Sequence, residues 1–500
     1  MFHLKNATVP VAAVLCFAGP LSADVTADDV WNDISAYMAG IGYRIDGQET
    51  RSGNTLSISD IRITGSLGPD TGSMVIQLDS IDLAETGGGV VDIILPPVVP
   101  VVSEFTGPDG ETFTSTVEYR HSGLVARASG TPAEMLYTYT ADTISVLSNG
   151  PEIDGTTFFT AEGDLTGISG TTTMTLGGTR VYDQQMAAAG ATYQISFADP
   201  EGDGEGRITG EISDLTFEGT SDLPALVTEQ LNMSEMLAAG FSAGGNFRTG
   251  PATHQVTSNS AEADFNMNLA TGETVLDVKM SGDGLSYGGT QSDLVASYET
   301  SALPFPIAFA AEDSGFELGM PLRQSEEPAD FALLLSLEKF TMDDFLWNMF
   351  DSASRLPRDP ATLVVDLAGK ATVLFDFLDP ASIAAAGEAG DAPADIDSLD
   401  VRELRLEIAG ASLQGEGSFE FPETDMPFPR PVGGVDLNLV GGNGLIDNLV
   451  AIGLLPEEQA MAARMMMGLL AVPGDAPDTL TSRIEMNEQG HIIANGQRIQ

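Results

Sequence analysis

The chain has 500 residues and sets 73 Asp and Glu against 21 Lys and Arg, a formal charge of −52. That balance excludes nucleic-acid binding, which needs Lys and Arg against phosphates, and it would repel anionic lipid headgroups unless an uncharged patch did the docking. A carboxylate-rich surface is read as adaptation to salt, where screening relieves self-repulsion, and it leaves room for weak divalent cation association.

Residues 1–23 read as a secretory signal. Lys5 supplies the positive start, Val9 to Phe17 the apolar stretch, and Leu21-Ser22-Ala23 the small-residue exit before Asp24. Cleavage after Ala23 would release an exported, periplasmic protein with no transmembrane segment, because the apolar run is too short to remain as a span. Cys16, the only cysteine, would leave with the signal, and Leu15 before it argues against lipidation. Such a product has no thiol, and therefore no disulfide, thiolate metal site or cysteine nucleophile.

A helix is predicted over Asp24 to Gly40, with Val30, Ile34, Tyr37 and Met38 on one face. After it the chain reads as short strands of period two punctuated by Gly, Asn and Asp. Leu56, Ile58, Ile61 and Ile63 form one strand, and Met74, Ile76, Leu78, Ile81 and Leu83 the next. Each skips a residue at its centre, as a bulge would cause. The phrase Ile58-Ser59-Asp60-Ile61 returns as Ile212-Ser213-Asp214-Leu215, which suggests an old duplication, with a looser echo in Val401, Leu404, Leu406 and Ile408.

The segment from Val90 to Val102 is the most apolar and carries Pro96, Pro97 and Pro100. Proline removes ladder donors, so the segment is expected at an edge or in a crossing loop. Val90, Ile93, Leu95, Val98 and Val101 are its candidate contacts for a lipid or a partner protein; the alternative is a strand that turns and packs on the core.

Two later segments imitate calcium loops. Asp199, Glu201, Asp203 and Gly204 start like an EF-hand, but Gly210 falls where the bidentate acid belongs. Gly441-Gly442-Asn443-Gly444 starts like a calcium nonapeptide, yet Asp447 comes one place late. Both are read as turns. Gly240-Phe241-Ser242-Ala243-Gly244 matches the nucleophile elbow of serine hydrolases, with His254 as a possible base. Its context is inverted, since helix precedes and a Gly-rich run follows. The remaining histidines are too scattered for a metal centre, and no phosphate loop occurs. No metal or cofactor is expected.

Val227 to Ala239 is a candidate helix. Arg323 to Asp330 is polar and divides a β-rich part, 24–326, from a second β-rich part, 327–500, that ends in a helical pair. Thr341 to Asp344 reads as a capping box for a short helix through Phe350, and Ala384 to Ser398 as an exposed loop. Gly444 to Ile452 and Pro456 to Leu470 form the helical pair, in which Met465-Met466-Met467 is read as core filler rather than as an adaptable groove. Ile484 and Met486, a turn at Glu488-Gln489-Gly490, and Ile492 to Ala494 make a closing hairpin.

Three groups of residues carry a resemblance. They are Ala23-Asp24-Val25-Thr26 with Val30-Trp31, then Leu356-Pro357-Arg358-Asp359-Pro360-Ala361 before Val364-Val365-Asp366-Leu367, and the tail from Gly490 to Ile499. In them the chain resembles an alphaproteobacterial family known as domain of unknown function 2125. The resemblance implies an exported, uncharacterised protein and transfers no catalytic residue. The fold expected is mainly β: a large curved antiparallel sheet assembly with a few short helices. The function expected is that of a non-catalytic envelope protein binding a hydrophobic ligand, a lipid, or a partner protein. A serine hydrolase centred on Ser242 and a structural envelope scaffold are the alternatives.

Overall fold

The computed structural model describes residues 24–68, 72–106, 112–150, 152–153, 156–157, 159–198, 204–224, 233–259, 264–389, 392–422 and 430–500. The expected signal, 1–23, and Asp199, Glu201 and Asp203 lie outside them. Helix α1 (Ala27–Gly40) leads into β1 (Arg44–Ser52), β2 (Thr55–Gly68), β3 (Gly72–Glu85) and β4 (Val90–Ile94). Next come β5 (Val98–Thr106), β6 (Thr112–Ser122), β7 (Val125–Thr131) and β8 (Glu134–Asn149). A separate small hairpin, β9 (Glu152–Ile153) with β10 (Thr156–Thr157), precedes the long strands β11 (Phe159–Leu176), β12 (Arg180–Ala198) and β13 (Glu205–Leu223). Helix α2 (Met233–Ala238) is followed by β14 (Ser242–Thr249), β15 (Ala252–Asn259), β16 (Phe265–Thr271) and β17 (Thr274–Ser281). Then come β18 (Gly284–Thr300), β19 (Ile307–Met320), β20 (Ala329–Met342), α3 (Asp344–Phe350), β21 (Ala361–Val373) and α4 (Pro380–Ala389). The remainder is β22 (Ala394–Ile408), β23 (Ala411–Glu420), β24 (Val432–Val440), α5 (Gly442–Ala451) and α6 (Glu457–Leu470). Short β25 (Val472–Pro473), then β26 (Thr479–Met486), β27 (Ile492–Ala494) and β28 (Gln497–Arg498) follow it.

Among the described residues twenty-six strands form one antiparallel sheet, in which most strands pair with their neighbours along the chain, so the expected mainly β class holds. The division expected at 326/327 falls between β19 and β20, which pair with each other from Phe309↔Met342 to Gly319↔Ala332. The sheet continues through it. Its first edge, β1, is polar and bulged at Gly47, and its last is blunted by the short β27–β28 hairpin; both discourage edge-to-edge association.

A crease runs across this sheet. Asp60 in β2, Gly167 in β11, Asp214 in β13, Asp293 in β18 and Lys339 in β20 all have φ between 49° and 61°. Asp and Gly tolerate that left-handed conformation best. At the same level the paired strands are interrupted outright. β4 and β5 both pair with β3, β6 and β7 with β8, β14 and β15 with β13, and β16 and β17 with β18. Each couple is one strand broken at the crease. The extra residue has a purpose in side-chain phase. In β8 the apolar set runs Met135, Tyr137, Tyr139, Ala141 and then Ile144, Val146, a step of three. Without it, the alternation would turn the second half's apolar side chains to the opposite face. The Ile-Ser-Asp repeat is thus a shared backbone requirement, and Ser292-Asp293-Leu294 meets it a third time.

The Val90–Val102 segment is corrected by the same feature. It sits inside the sheet, with Pro96-Pro97 spanning the break between β4 and β5 and Pro97 O accepting from His121 N–H at 3.0 Å. Pro100 is tolerated within β5 because β3 pairs no further along β5 than Val102, leaving no ladder bond to lose on that side.

One sheet face is mostly apolar, and the main core lies where helices cover it. Ile58, Leu83, Val91 and Met174 are buried beneath α1 and α2, against Val30, Trp31, Met236 and Leu237. Each such side chain contributes roughly 1.5–3 kcal/mol. A smaller cluster of Ala141, Ile168, Ala188 and Leu215 follows the crease. Of the helix expected over Val227 to Ala239, α2 holds Met233–Ala238, while 227–232 lie outside the described residues. α1 opens on a capping box, with Thr26 Oγ1 accepting from Asp29 N–H and the Asp29 carboxylate accepting from Thr26 N–H. α3 differs, since Asp343 is its N-cap and makes no side-chain capping bond. Where a loop was expected from Ala384, the chain finishes α4 and, from Ala394, begins β22.

Candidate functional site

Cross-strand register assembles the apolar face into rows. One row passes through Val278, Tyr287, Leu318, Leu333, Leu367 and Val401, each paired with the next. A second passes through Phe247, Leu276, Gly289, Phe316, Leu335, Val365, Leu404, Gly415, Leu437 and Ser482. A third joins Leu363, Leu406, Leu413, Leu439 and Leu480. Apolar pairs of this kind stabilise a sheet, and a soluble sheet normally hides them beneath a second layer.

Among the described residues only the ends are roofed. Under α1, Ile58, Leu83 and Met174 are fully buried, whereas in the middle of the same face Phe316 is 36% exposed, Leu318 38%, Leu363 41% and Leu335 48%. The uncovered tract reaches from β17 to β22. Its first row crosses six strands, about 24 Å at the usual strand spacing. Below the crease the face stays apolar through Ile195, Ile208, Val256, Met267 and Tyr298, all half-buried. Tyr193 lies over Gly210 there, where a Cβ would meet its ring at 2.3 Å, and its hydroxyl is 2.8 Å from His254 Nδ1. Burial lowers the pKa of His254 from the usual imidazole value.

α1 is locked over its end of the face by a buried carboxylate. Asp33, 2% exposed, accepts from Tyr137 Oη at 2.7 Å, Tyr182 Oη at 3.0 Å and the Arg180 guanidinium. Desolvation, reinforced by the Asp33 charge, pushes the pKa of both tyrosines above the ordinary phenol value. Trp31 adds an N–H bond to Glu49 at 3.0 Å. At the other end α6 roofs the second row, where Ser482 Oγ donates to Leu470 O and Asn495 Nδ2 does so at 2.9 Å.

The opposite face is polar. Cross-strand ion pairs cover it, including Arg127–Asp92 at 2.9 Å, Lys370–Asp330 at 2.7 Å and Arg483–Asp436 at 2.8 Å. It also holds a cavity of about 620 Å³ lined by Glu162, Asp164, Gln194, Glu211, Gln255 and Asn268. Ligand pockets are mostly apolar with a few placed polar groups. This one also has apolar lining at Leu269, Ala270 and Val295, but the carboxylates of Glu162, Asp164 and Glu211 make it repel anions.

The five residues singled out in the Val90–Val102 segment do not form one surface. Ile93 packs on the core beneath α1, Val101 joins the apolar face below the crease, and Leu95 is half-buried at the break. Strand alternation turns Val90 and Val98 to the polar side, next to buried Val91 and Val99. The rows on β17–β22 were missed as a site because each strand by itself shows only ordinary alternation.

Ser242 and His254 are not brought together. Ser242 pairs with Asp222 and His254 with Gly210, so they stand twelve residues apart along β13, on the order of 40 Å in extended strand. Gly441-Gly442-Asn443-Gly444 is the start of α5. Asp478 caps it, accepting from Asn443 N–H at 3.1 Å and Gly444 N–H at 2.9 Å, while Asp447 pairs with Arg464. Asp478 loses some hydration, which alone would raise its pKa, but these donors hold it below the usual value. Among the described residues no group of three or more His, Cys, Asp or Glu could hold a metal ion, and no helix is long and apolar enough to cross a membrane.

Residues 239–488 match the profile of DUF2125, described as an uncharacterized protein conserved in bacteria. The match covers half of the chain. The protein belongs to this family. No curated protein and no solved structure matches it. The matched span includes the whole uncovered tract and the helical pair at its end, while α1 and the first thirteen strands precede it.

Proposed function

We propose that the protein is an exported, periplasmic envelope protein that holds the acyl chains of a lipid along the uncovered part of its apolar face, without catalysing a reaction. One observation carries the reading: a single sheet face is fully buried beneath α1 and left more than a third exposed from β17 to β22 at Tyr287, Phe316, Leu318, Leu335 and Leu363. A contiguous apolar tract of that length is costly in water and marks a binding surface. Its first row spans about 24 Å, longer than the ~15 Å acyl layer of one membrane leaflet, half of the ~30 Å hydrocarbon core. The polar face, with its excess of acids, keeps the rest of the molecule in water. Export is supported by Lys5, the Val9–Phe17 stretch and Leu21-Ser22-Ala23. The separation of Ser242 from His254 leaves the hydrolase reading without its base.

The test is to isolate the protein from its native host without detergent, extract it, and identify lipids by mass spectrometry. A long-chain lipid in near-stoichiometric amount is expected. An extract no richer in lipid than one from a Leu335→Glu, Leu363→Glu variant would overturn the proposal.

A further inference from the structure

Helix α6 is apolar on both sides, although only one side is covered. Ala460, Ala463, Met467 and Leu470 form its less exposed stripe, with Ala460 buried and Leu470 O bonded to Ser482. Met461, Met465, Met466 and Leu469 stand on the outside at 60–72% exposure, and Leu454 in the turn before the helix extends them at 54%. A contiguous apolar stripe left exposed on a helix that already covers its other side marks a contact surface. Two of the three consecutive methionines therefore do not fill the core, because the inward stripe has the spacing 460, 463, 467, 470 and passes them by.

We infer that this ridge docks the protein on the surface of an electrically neutral lipid membrane, next to the end of the apolar tract. The inference rests on the lipid reading above and names where the lipid is exchanged. Three observations favour a membrane as the occupant. First, the ridge has five apolar side chains, against about 20–30 residues a side in a stable protein interface, and it lacks the Tyr and Trp anchors that dominate such interfaces. Second, α6 roofs the second apolar row through Leu470 and Ser482, so a membrane touching the ridge would lie beside the tract itself. Third, from Met461 to Leu469 the one charged side chain is Arg464, which is paired with Asp447, and the exposed acids Glu457 and Glu458 stand at the start of the ridge, where they repel anionic rather than neutral headgroups. Flexible, unbranched Met side chains flanked by Leu suit the disordered acyl boundary, where an amphipathic helix buries its apolar side. The chain's charge of −52 selects neutral over anionic headgroups.

The experiment is co-flotation of the full chain with phosphatidylcholine vesicles. The protein is expected to float, and the Met465→Glu, Met466→Glu variant to lose about tenfold in partitioning, since a carboxylate resists leaving water. Met461→Ser with Leu469→Ser, also at exposed positions, should weaken it in the same direction. Replacing a third of the lipid by phosphatidylglycerol should reduce flotation, and added NaCl should restore it. The Leu335→Glu variant should float like the parent while losing lipid on extraction, which separates failure of docking from failure of the lipid reading. Absence of flotation, flotation indifferent to the Met465 and Met466 changes, or a dimer in sedimentation that those changes dissociate would each overturn the inference; the last would assign the ridge to a second copy.

Discussion

Leu83 and Leu335 offer a controlled comparison, since register places both on the apolar face, one beneath α1 and one in the open tract. Leu83 is 0% exposed and paired with Leu56 and Ile93, so Leu83→Ala removes a full complement of contacts and leaves a cavity, at a cost of about 2–5 kcal/mol. Leu335 is 48% exposed, so only about half of the 1.5–3 kcal/mol transfer value is at stake, and water fills the space; Leu335→Ala should cost about 1 kcal/mol. The polar versions diverge further. Leu83→Glu should prevent folding, whereas Leu335→Glu should leave stability within about 1 kcal/mol of the parent, because its carboxylate stays hydrated. Urea unfolding followed by Trp31, itself buried on α1, reads these differences as midpoints at constant slope. Equal losses for the two alanine variants would refute the reasoning, because they would mean that something covers Leu335 in solution.

The remaining expectations concern charge. Asp33→Ala removes the shared acceptor of Tyr137, Tyr182 and Arg180 and should cost about 3 kcal/mol, the lower end for a buried pair because Arg180 keeps a quarter of its side chain in water; a red shift of Trp31 emission would report the loosened helix, and an unchanged midpoint would contradict the clamp. Because folding raises the pKa of Tyr137 and Tyr182, their contribution is complete below about pH 10 and falls as pH rises above it. Unfolding midpoints should therefore drop at alkaline pH, and less steeply for the Tyr137→Phe, Tyr182→Phe variant. Melting temperature should rise with NaCl, as the screening length falls from roughly 30 Å at ~0.01 M to about 3 Å at ~1 M. CaCl2 at matched ionic strength should act at lower concentration without saturating at a fixed stoichiometry.

Much of the architecture was legible because strand phase is written locally. The step of three between Ile58 and Ile61 marks the crease, and Asp at positions 60 and 214 states the backbone conformation it needs. What could not be read was which strand lies beside which. Phe316, Leu335, Val365 and Leu404 are scattered over 89 positions and become one row only through pairing. The same cause hid the distance between Ser242 and His254: β14 and β15 are one broken strand, so closeness in sequence becomes separation in space. The end of α4 from Ala384 reads as loop because its Ala-rich stretch runs into Gly387 and Gly390. Proline misled at Pro96-Pro97, where the crease supplies inside the sheet the break that proline usually requires at an edge.

The most direct measurement of the central claim is the map of covalent adducts left by a photoactivatable fatty acid bound to the full chain. Adducts should concentrate on Tyr287, Phe316, Leu318, Leu335, Leu363 and Leu406, and be absent from the polar face at Asp92, Asp330 and Asp436. Adducts spread equally over both faces, or none above an unilluminated control, would contradict it.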